Sequence, residues 1–435
     1  MKFIIIIVIV LVIIAAAQLM KVYELSSRLR NKDEADVTPA ETKFNAGMIL
    51  LFYIALMISS TWLFLHYGAR PGLGESASEH GGEIDFLYDV NWIILIIAFY
   101  FTQTLLFVFA FKYQQKKGRK AVFFAHSTKL ELLWTIIPAI VLAGIIIGGL
   151  TVWNKITTPK EDTTVIEIYA QQFGWTVRYA GEDNTLGNSD FKVIDESKNP
   201  LGVVTTKLIN AREKSWTKEI DSLTTYIAEK GDLTPDAIID EIEDKIERLG
   251  RQIRRLDPLR KAQTAETNAA ATDDVIVKEL HLVKGKDYEF KFRSRDVIHS
   301  ALFPHFRAQM NCVPGMTTRF SFKPVITTAE MRAMPDVQKQ YKEASEKRVA
   351  NGKEAVEFDY LLLCNKICGS SHYNMQIKII VETQEEFDVW YAKQSESKTF
   401  EMLAGLESTV VASGSIDTNV AAIDTVNLIT ESASH

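Results

Sequence analysis

Residues 132–170 read LLWTIIPAIVLAGIIIGGLTVWNKITTPKEDTTVIEIYA, and the pattern of the chain changes within them. From Leu132 to Asn154 there is no charge, and such a run, coiled as a helix, crosses a hydrocarbon core that needs ~20 residues. Lys155 to Asp162 brings charges and a proline. From Val165 the apolar and polar residues then alternate with a period of two, the pattern of a half-buried strand. A membrane anchor therefore gives way to a β-rich domain near residue 155.

Three more uncharged stretches lie on the N-terminal side: Phe3 to Met20, Asn45 to Ala69 and Asn91 to Phe111. The expected anchor occupies 1–155, with helices at about 3–20, 46–67, 91–113 and 132–153. The first stretch also fits a signal peptide, because a short positive start and an apolar run lead to Ala15-Ala16-Ala17. Loop charges favour its retention. Lys21, Arg28, Arg30, Lys32 and Lys43 follow it, and Lys112, Lys116, Lys117, Arg119, Lys120 and Lys129 follow the third stretch. The loop between these two holds only Arg70, beside Glu75, Glu79, Glu83, Asp85 and Asp89. Positive loops stay cytoplasmic, so four crossings place the C-terminal domain outside.

On the C-terminal side, VIEIYA (165–170), VIVKELHL (275–282), YEFKFR (288–293), TTRFSF (317–322) and QIKIIVE (376–382) repeat the alternation. Several short strands of this kind imply a sandwich or barrel. Residues 205–262 interrupt them with helical periodicity: Thr234-Pro235-Asp236 reads as an N-cap with proline in the first helical position. Ile238, Ile239, Ile242, Ile246, Leu249, Ile253 and Leu256 then fall on one face. This predicts a helical hairpin inserted between strands. Residues 327–356 are a second charged insertion. The soluble domain is expected over 156–395, with a flexible Ser/Thr/Ala/Asp-rich tail at 396–435. A mean hydropathy of +0.00 thus averages two unlike halves. A net charge of -6 across 435 residues argues against a nucleic-acid partner, which calls for a clustered basic face. Three cysteines rule out a disulfide-stapled scaffold.

Two of those cysteines lie in Cys364-Asn365-Lys366-Ile367-Cys368-Gly369-Ser370-Ser371-His372-Tyr373-Asn374-Met375. Two thiols, an imidazole and a thioether within twelve residues form a soft donor set, and soft sulfur selects copper. A mononuclear copper site with one cysteine would leave a thiol over. Two thiolates can bridge two coppers, each of which then needs its own imidazole. His372 supplies one. His299, in Ser294-Arg295-Asp296-Val297-Ile298-His299-Ser300, is the candidate for the other, with His305 as a competitor. A Cys364–Cys368 disulfide and a Cys2His2 zinc site are the alternatives, although zinc would make no use of Met375. Cys312 reads as a buried structural thiol.

These residues resemble cytochrome c oxidase subunit II and its dinuclear copper A domain, whose pattern runs C-x-E-x-C-G-x-x-H-x-x-M. Cys364, Cys368, Gly369, His372 and Met375 occupy those positions, and Asp296 to Ser300 matches D-V-x-H-S. Pro304 and Pro314-Gly315 also fall in place. Glu131 to Ala139 is similar to the opening of the family's second membrane helix, and Gln172-Phe173-Gly174-Trp175 to its aromatic stretch. The resemblance covers about 91–180, 275–325 and 355–392. It implies an α+β membrane protein in which N-terminal transmembrane helices precede a cupredoxin-like β-sandwich bearing a helical insertion.

By the same resemblance, Cys364 and Cys368 bridge the coppers. His299 and His372 ligate one each, Met375 is a weak ligand, and the Lys366 backbone carbonyl is another. The implied function is respiratory electron transport: a c-type cytochrome, or a haem-c-bearing neighbouring complex, reduces the copper pair. Subunit I, accompanied by other oxidase subunits, then reduces oxygen while pumping protons. The implied location is a bacterial inner membrane, with the copper domain periplasmic. Glu131 takes the place of a glutamate at the mouth of a proton channel, Phe173 that of an aromatic where electrons arrive, and Trp175 that of an electron-path or core aromatic. Lys366 replaces a glutamate that binds magnesium in the family, so no magnesium ligand is expected here. No C-x-x-C-H occurs, so no haem is expected on this chain. A copper-free quinol-oxidase subunit, a nitrous-oxide-reductase-like domain and a membrane-anchored copper carrier are the competing readings.

Overall fold

The computed structural model describes residues 2–29, 38–68, 73–116, 118–123, 125–195 and 199–398. It opens with helices α1 (Lys2–Leu29), α2 (Pro39–Gly68), α3 (Gly81–Lys112) and α4 (Thr128–Thr157). Among the described residues, α2, α3 and α4 are long and apolar enough to cross a membrane. Each exceeds the span expected from the uncharged run alone, and for α2 local capping accounts for the extension. Before α2, the Thr38 amide donates to Glu41 Oε2 at 2.8 Å while Glu41 N donates back to Thr38 Oγ1 at 3.3 Å. This reciprocal box, with Pro39 in the first helical position, starts the helix well ahead of its apolar segment. Tyr53 and Thr104 hydroxyls meet at 2.9 Å, and Thr61 and Tyr100 at 2.6 Å, pairing α2 with α3. Pro138 lies inside α4 without ending it.

The second compact unit combines residues 73–84 with 150 onward, so it takes in two pieces that sequence assigned to the 1–155 anchor. Backbone bonding explains the first of these. Ala77 N donates to His305 O at 2.8 Å, Glu79 N to Lys323 O at 3.0 Å and Val325 N to Ala77 O at 2.8 Å. The Ser78 hydroxyl donates to the Phe306 carbonyl at 2.7 Å. No apolar pattern marks this segment; it is held as an added edge of backbone.

Strands β1 (Thr164–Gln171) and β2 (Gly174–Tyr179) begin the sandwich, followed by helices α5 (Thr206–Lys230), α6 (Asp236–Arg254), α7 (Asp257–Lys261) and α8 (Ala265–Thr272). Then come β3 (Val275–Val277), β4 (Leu280–Val283), β5 (Tyr288–Ser294), β6 (His299–Phe303), β7 (Ala308–Cys312) and β8 (Thr318–Phe322). Helices α9 (Thr328–Ala333) and α10 (Pro335–Ala350) precede β9 (Tyr360–Cys364), β10 (Gln376–Glu382) and α11 (Gln384–Lys398). The sheets run β3-β2-β1-β5-β8 and β4-β10-β9-β6-β7, a cupredoxin-like sandwich as expected. Phe290, Phe292, Phe303, Phe306, Phe320 and Phe322 fill its centre, all nearly or fully buried. Phe290 and Phe322 stack with ring centres 4.7 Å apart.

Residues 275–282 are a correction: two strands in different sheets, where sequence predicted one. Val275 and Val277 are buried, and so are Leu280 and Leu282. The step from 277 to 280 breaks a period of two, so Lys278-Glu279 carries the chain from one sheet to the other.

The helical insertion expected at 205–262 runs from Thr206 to Thr272. Its apolar stripe packs inward: Ile209, Trp216, Leu249 and Leu256 form one cluster with Val193 and Val204. Leu201, Val203, Leu208 and Ala271 pack on Tyr169 of β1. Helix α6 starts at Asp236 with Pro235 in the cap position, one residue later than predicted. The Thr234 hydroxyl is engaged elsewhere, donating to Lys230 O at 2.8 Å at the end of α5. Beneath the insertion, buried Arg178 donates to Glu167 at 2.8 Å, to Asp274 at 2.9 Å and to the Gly187 carbonyl at 3.1 Å. One guanidinium thus joins β1 and β2 to both ends of the inserted segment, and such a buried cation is tolerated only when fully partnered. Of the tail expected at 396–435, residues 399–435 lie outside the described residues.

Candidate metal centre

Strands β9 and β10 are antiparallel, with Leu363 opposite Gln376. The connection between them is pinched shut by Cys364 N donating to Met375 O at 3.0 Å. Everything from Cys364 to Met375 is therefore one closed loop. The next strand in the sheet is β6, with Ala301 opposite Cys364, so the start of β6 delivers His299 to that loop. Asn365 N donates to Ser300 O at 2.9 Å and fastens the two together.

Within this enclosure the donor atoms converge. The Cys364 and Cys368 sulfurs are 3.9 Å apart. His299 Nδ1 lies 3.8 Å from Cys364 Sγ, and His372 Nδ1 lies 3.6 Å from Cys368 Sγ. Met375 Sδ is 3.8 Å from Cys368 Sγ, and the Lys366 carbonyl is 3.2 Å from Cys364 Sγ. His299, Cys368 and Met375 are buried. Every ligand named from sequence is brought to this loop. His305 is not: its ring packs on Phe358 and Tyr360 at 5.0 and 5.6 Å. Glu131 belongs to the other unit, in the first turn of α4, where its carboxylate accepts the Ser127 amide at 3.3 Å.

The donor set also discriminates between metals. A disulfide needs sulfurs ~2.05 Å apart, and all three cysteines are free. Two sulfurs each ~2.3 Å from a shared ion can stand up to ~4.6 Å apart, which the observed separation satisfies. A single tetrahedral ion would need all four Cys and His atoms equally close. His299, Cys364 and Cys368 lie within 4.8 Å of one another, but His372 falls outside that group. Each imidazole instead sits beside its own sulfur, the arrangement two ions would use. Burial and the neighbouring Cys364 thiol push Cys368 up to about 11, so a cation must offset the charge before both sulfurs can serve as thiolates.

Sequence assigns no role to two supporting side chains, Asp296 and Gln172. Asp296 Oδ1 lies 2.9 Å from His299 Nε2, which leaves Nδ1 free to face the sulfurs. Burial opposes ionisation of Asp296, but the Gln172 amide, the His299 ring and the Val297 amide outweigh it and hold the carboxyl below its usual range. The Gln172 side chain donates to the Cys368 carbonyl. Trp175, buried, donates its indole N–H to the Met375 carbonyl at 3.3 Å and sets its ring 6.2 Å from that of His299. Phe173 is 41% exposed at the rim. Sequence singles out Phe173 and Trp175, whereas Asp296 and Gln172 appear in it only as members of the D-V-x-H-S match and the aromatic stretch.

The family model for the transmembrane domain of cytochrome c oxidase subunit II matches residues 66–152. The alternative cytochrome c oxidase subunit 2 of Bradyrhizobium diazoefficiens is 28% identical over 327 residues, 74% of this chain and 84% of that protein. Cytochrome c oxidase subunit 2 of Thermostichus vulcanus is 21% identical over 78% of this chain and 82% of its own length. Cytochrome c oxidase subunit 2 of Cereibacter sphaeroides is 22% identical over 78% of this chain and 84% of its own length. The chain is thus similar to cytochrome c oxidase subunit II along most of its length. Among solved structures, the periplasmic domain of subunit II of cytochrome oxidase from Bradyrhizobium japonicum aligns with 55% of this chain and 99% of its own, at 16% identity and a TM-score of 0.25.

Proposed function

We propose that this chain is subunit II of a terminal oxidase and holds a dinuclear copper centre that accepts electrons from a c-type cytochrome and passes them to subunit I. The observation that carries the reading is the pairing of each thiol with its own imidazole, at 3.8 and 3.6 Å, across a 3.9 Å sulfur–sulfur gap. Cys364 and Cys368 would bridge, His299 and His372 would each supply Nδ1, and Met375 and the Lys366 carbonyl would be the weak ligands. When bound, a copper pair supplies a one-electron acceptor with its charge spread over two ions.

The chain's own residues hold that site still. Asp296 orients His299, Trp175 fixes the Met375 end of the loop, and Gln172 restrains the Cys368 peptide. Rigid ligands suit electron transfer, because little has to reorganise when the charge changes. Around the loop, Ile367, Tyr373, Phe173, Val297 and Ile298 are all exposed apolar side chains, a surface fit for a brief encounter with a redox protein. Phe173 and Trp175 lie on the path from that surface inward.

Four crossings, including an uncleaved α1, would put this domain on the periplasmic side of a bacterial inner membrane. Glu131 would take up protons at the opposite face, and no magnesium ligand is assigned to this chain. The test is electron paramagnetic resonance with metal quantification on the purified oxidase. Two coppers per chain sharing one unpaired electron are expected. One copper, zinc, or a native Cys364–Cys368 disulfide would overturn the reading.

A further inference from the structure

A cavity of about 1120 Å³ opens between the start of α2 and the end of α3. Its floor is apolar, formed by Gly47, Val108 and Phe111, and its mouth carries Lys43, Lys112 and Lys116. The position follows from the sequence. Apolar residues begin just after Lys43 on α2 and end just before Lys112 on α3, so the three lysines share one polar boundary of the spans. Among the described residues no carboxylate pairs with them; the Lys112 ammonium stands only over the Tyr113 ring, at 5.6 Å. A side-chain methyl at Gly47 would meet nothing within 4 Å, so the floor is open space rather than a packed helix contact.

We infer that this cavity binds the headgroup of an anionic glycerophospholipid, with the phosphate among the three lysines and an acyl chain along Val108 and Phe111. Unpaired cations at a membrane boundary attract acidic lipid, and apolar walls below them accept a hydrocarbon tail and offer a free anion nothing. The lysines also orient the helices in the membrane, but orientation alone requires no cavity between them. The inference rests on the membrane placement of α2 and α3 and is independent of the copper site.

The test uses the intact oxidase containing the full chain, reconstituted in phosphatidylcholine with a minor fraction of phosphatidylglycerol. Lipid retained through extraction is counted by native mass spectrometry. Phosphatidylglycerol is expected to be retained over phosphatidylcholine, and retention should fall about fivefold for each lysine removed in K43Q/K112Q/K116Q. The K43R/K112R/K116R variant should retain it. Copper content, unchanged in all three, shows that the chain has folded and keeps this result separate from the metal reading. Equal retention in the native and glutamine forms would overturn the site, as would displacement of the lipid by millimolar inorganic phosphate, which would assign it to a free anion. Cross-linking from Lys43→Cys to an acidic segment of another subunit, with no lipid retained, would equally overturn it.

Discussion

Asp296 Oδ1 lies 2.9 Å from Nε2 of the fully buried His299, so the carboxylate settles which ring nitrogen is free to face the sulfurs. The same carboxylate accepts the Gln172 and Val297 amides, each at 2.7 Å. It therefore joins the aromatic stretch, the β5–β6 turn and the candidate ligand. Asp296→Ala should lower metal affinity by about 10–100-fold while the sandwich still folds. Titration of the purified oxidase with a copper chelator measures this; unchanged retention would show that His299 is positioned by packing alone.

Gly369 is the point where the candidate metal loop touches the aromatic stretch. A Cβ there would lie 2.8 Å from Phe173 Cζ and 2.9 Å from Gln172 Nε2, on a backbone with φ of +142°. Gly369→Ala should destabilise the domain by about 1–3 kcal/mol. Because part of the clash is with the Phe173 ring, adding Phe173→Ala should recover part of the loss, a non-additivity that thermal unfolding of the double-mutant cycle reads directly. Strictly additive losses would assign the whole cost to the backbone.

His305 gives the domain an acid sensitivity unrelated to the metal. Burial, helped by the nearby Arg307 charge, lowers its pKa from 6.5 to about 4. A histidine that folds with a depressed pKa contributes stability in full above its unfolded value and loses it as pH falls toward the folded one. Stability should therefore decline between about pH 6.5 and pH 4. His305→Phe keeps a ring against Phe358 and Tyr360 and should flatten that decline. Melting temperatures measured across this window would disprove the assignment if the native and variant curves stay parallel.

Among the described residues the Glu131 carboxylate makes local contacts, accepting the Ser127 amide at 3.3 Å and lying 4.0 Å from His126 Nδ1, and its side chain is 49% exposed. If that helix-end contact were its whole role, Glu131→Gln would leave turnover intact, since an amide oxygen accepts the same bond. The proton-uptake reading expects slower oxygen reduction and slower proton uptake in proteoliposomes, with reduction of the copper centre by reduced cytochrome c unchanged.

Some features were legible because they are local. An uncharged run of about twenty residues can do little but cross a membrane, and the period-two segments at 165–170 and 376–382 are strands at those positions. Cys364, Cys368, His372 and Met375 share twelve residues, so their convergence needed only a closed loop. The slip of register at Lys278-Glu279 was also written in the residues, in the odd step between Val277 and Leu280, although a reading by composition joins the two halves into one strand.

The membrane helices, the β-rich character of the rest and the soft donors of one loop were thus determined by sequence, through hydropathy, periodicity and spacing that act over a few turns. Sequence already preferred His299 to His305, but only tertiary structure supplied the reason. The pairing of β6 with β9 brings the first to the sulfurs and leaves the second against Phe358 and Tyr360. Tertiary structure alone drew residues 73–84 into the β-rich unit through backbone bonds that carry no side-chain signature. Arg178 was buried in the same way, its charge held between Glu167 and Asp274, residues 107 positions apart in the chain. Such contacts depend on which distant strands become neighbours, and no window of sequence contains both partners.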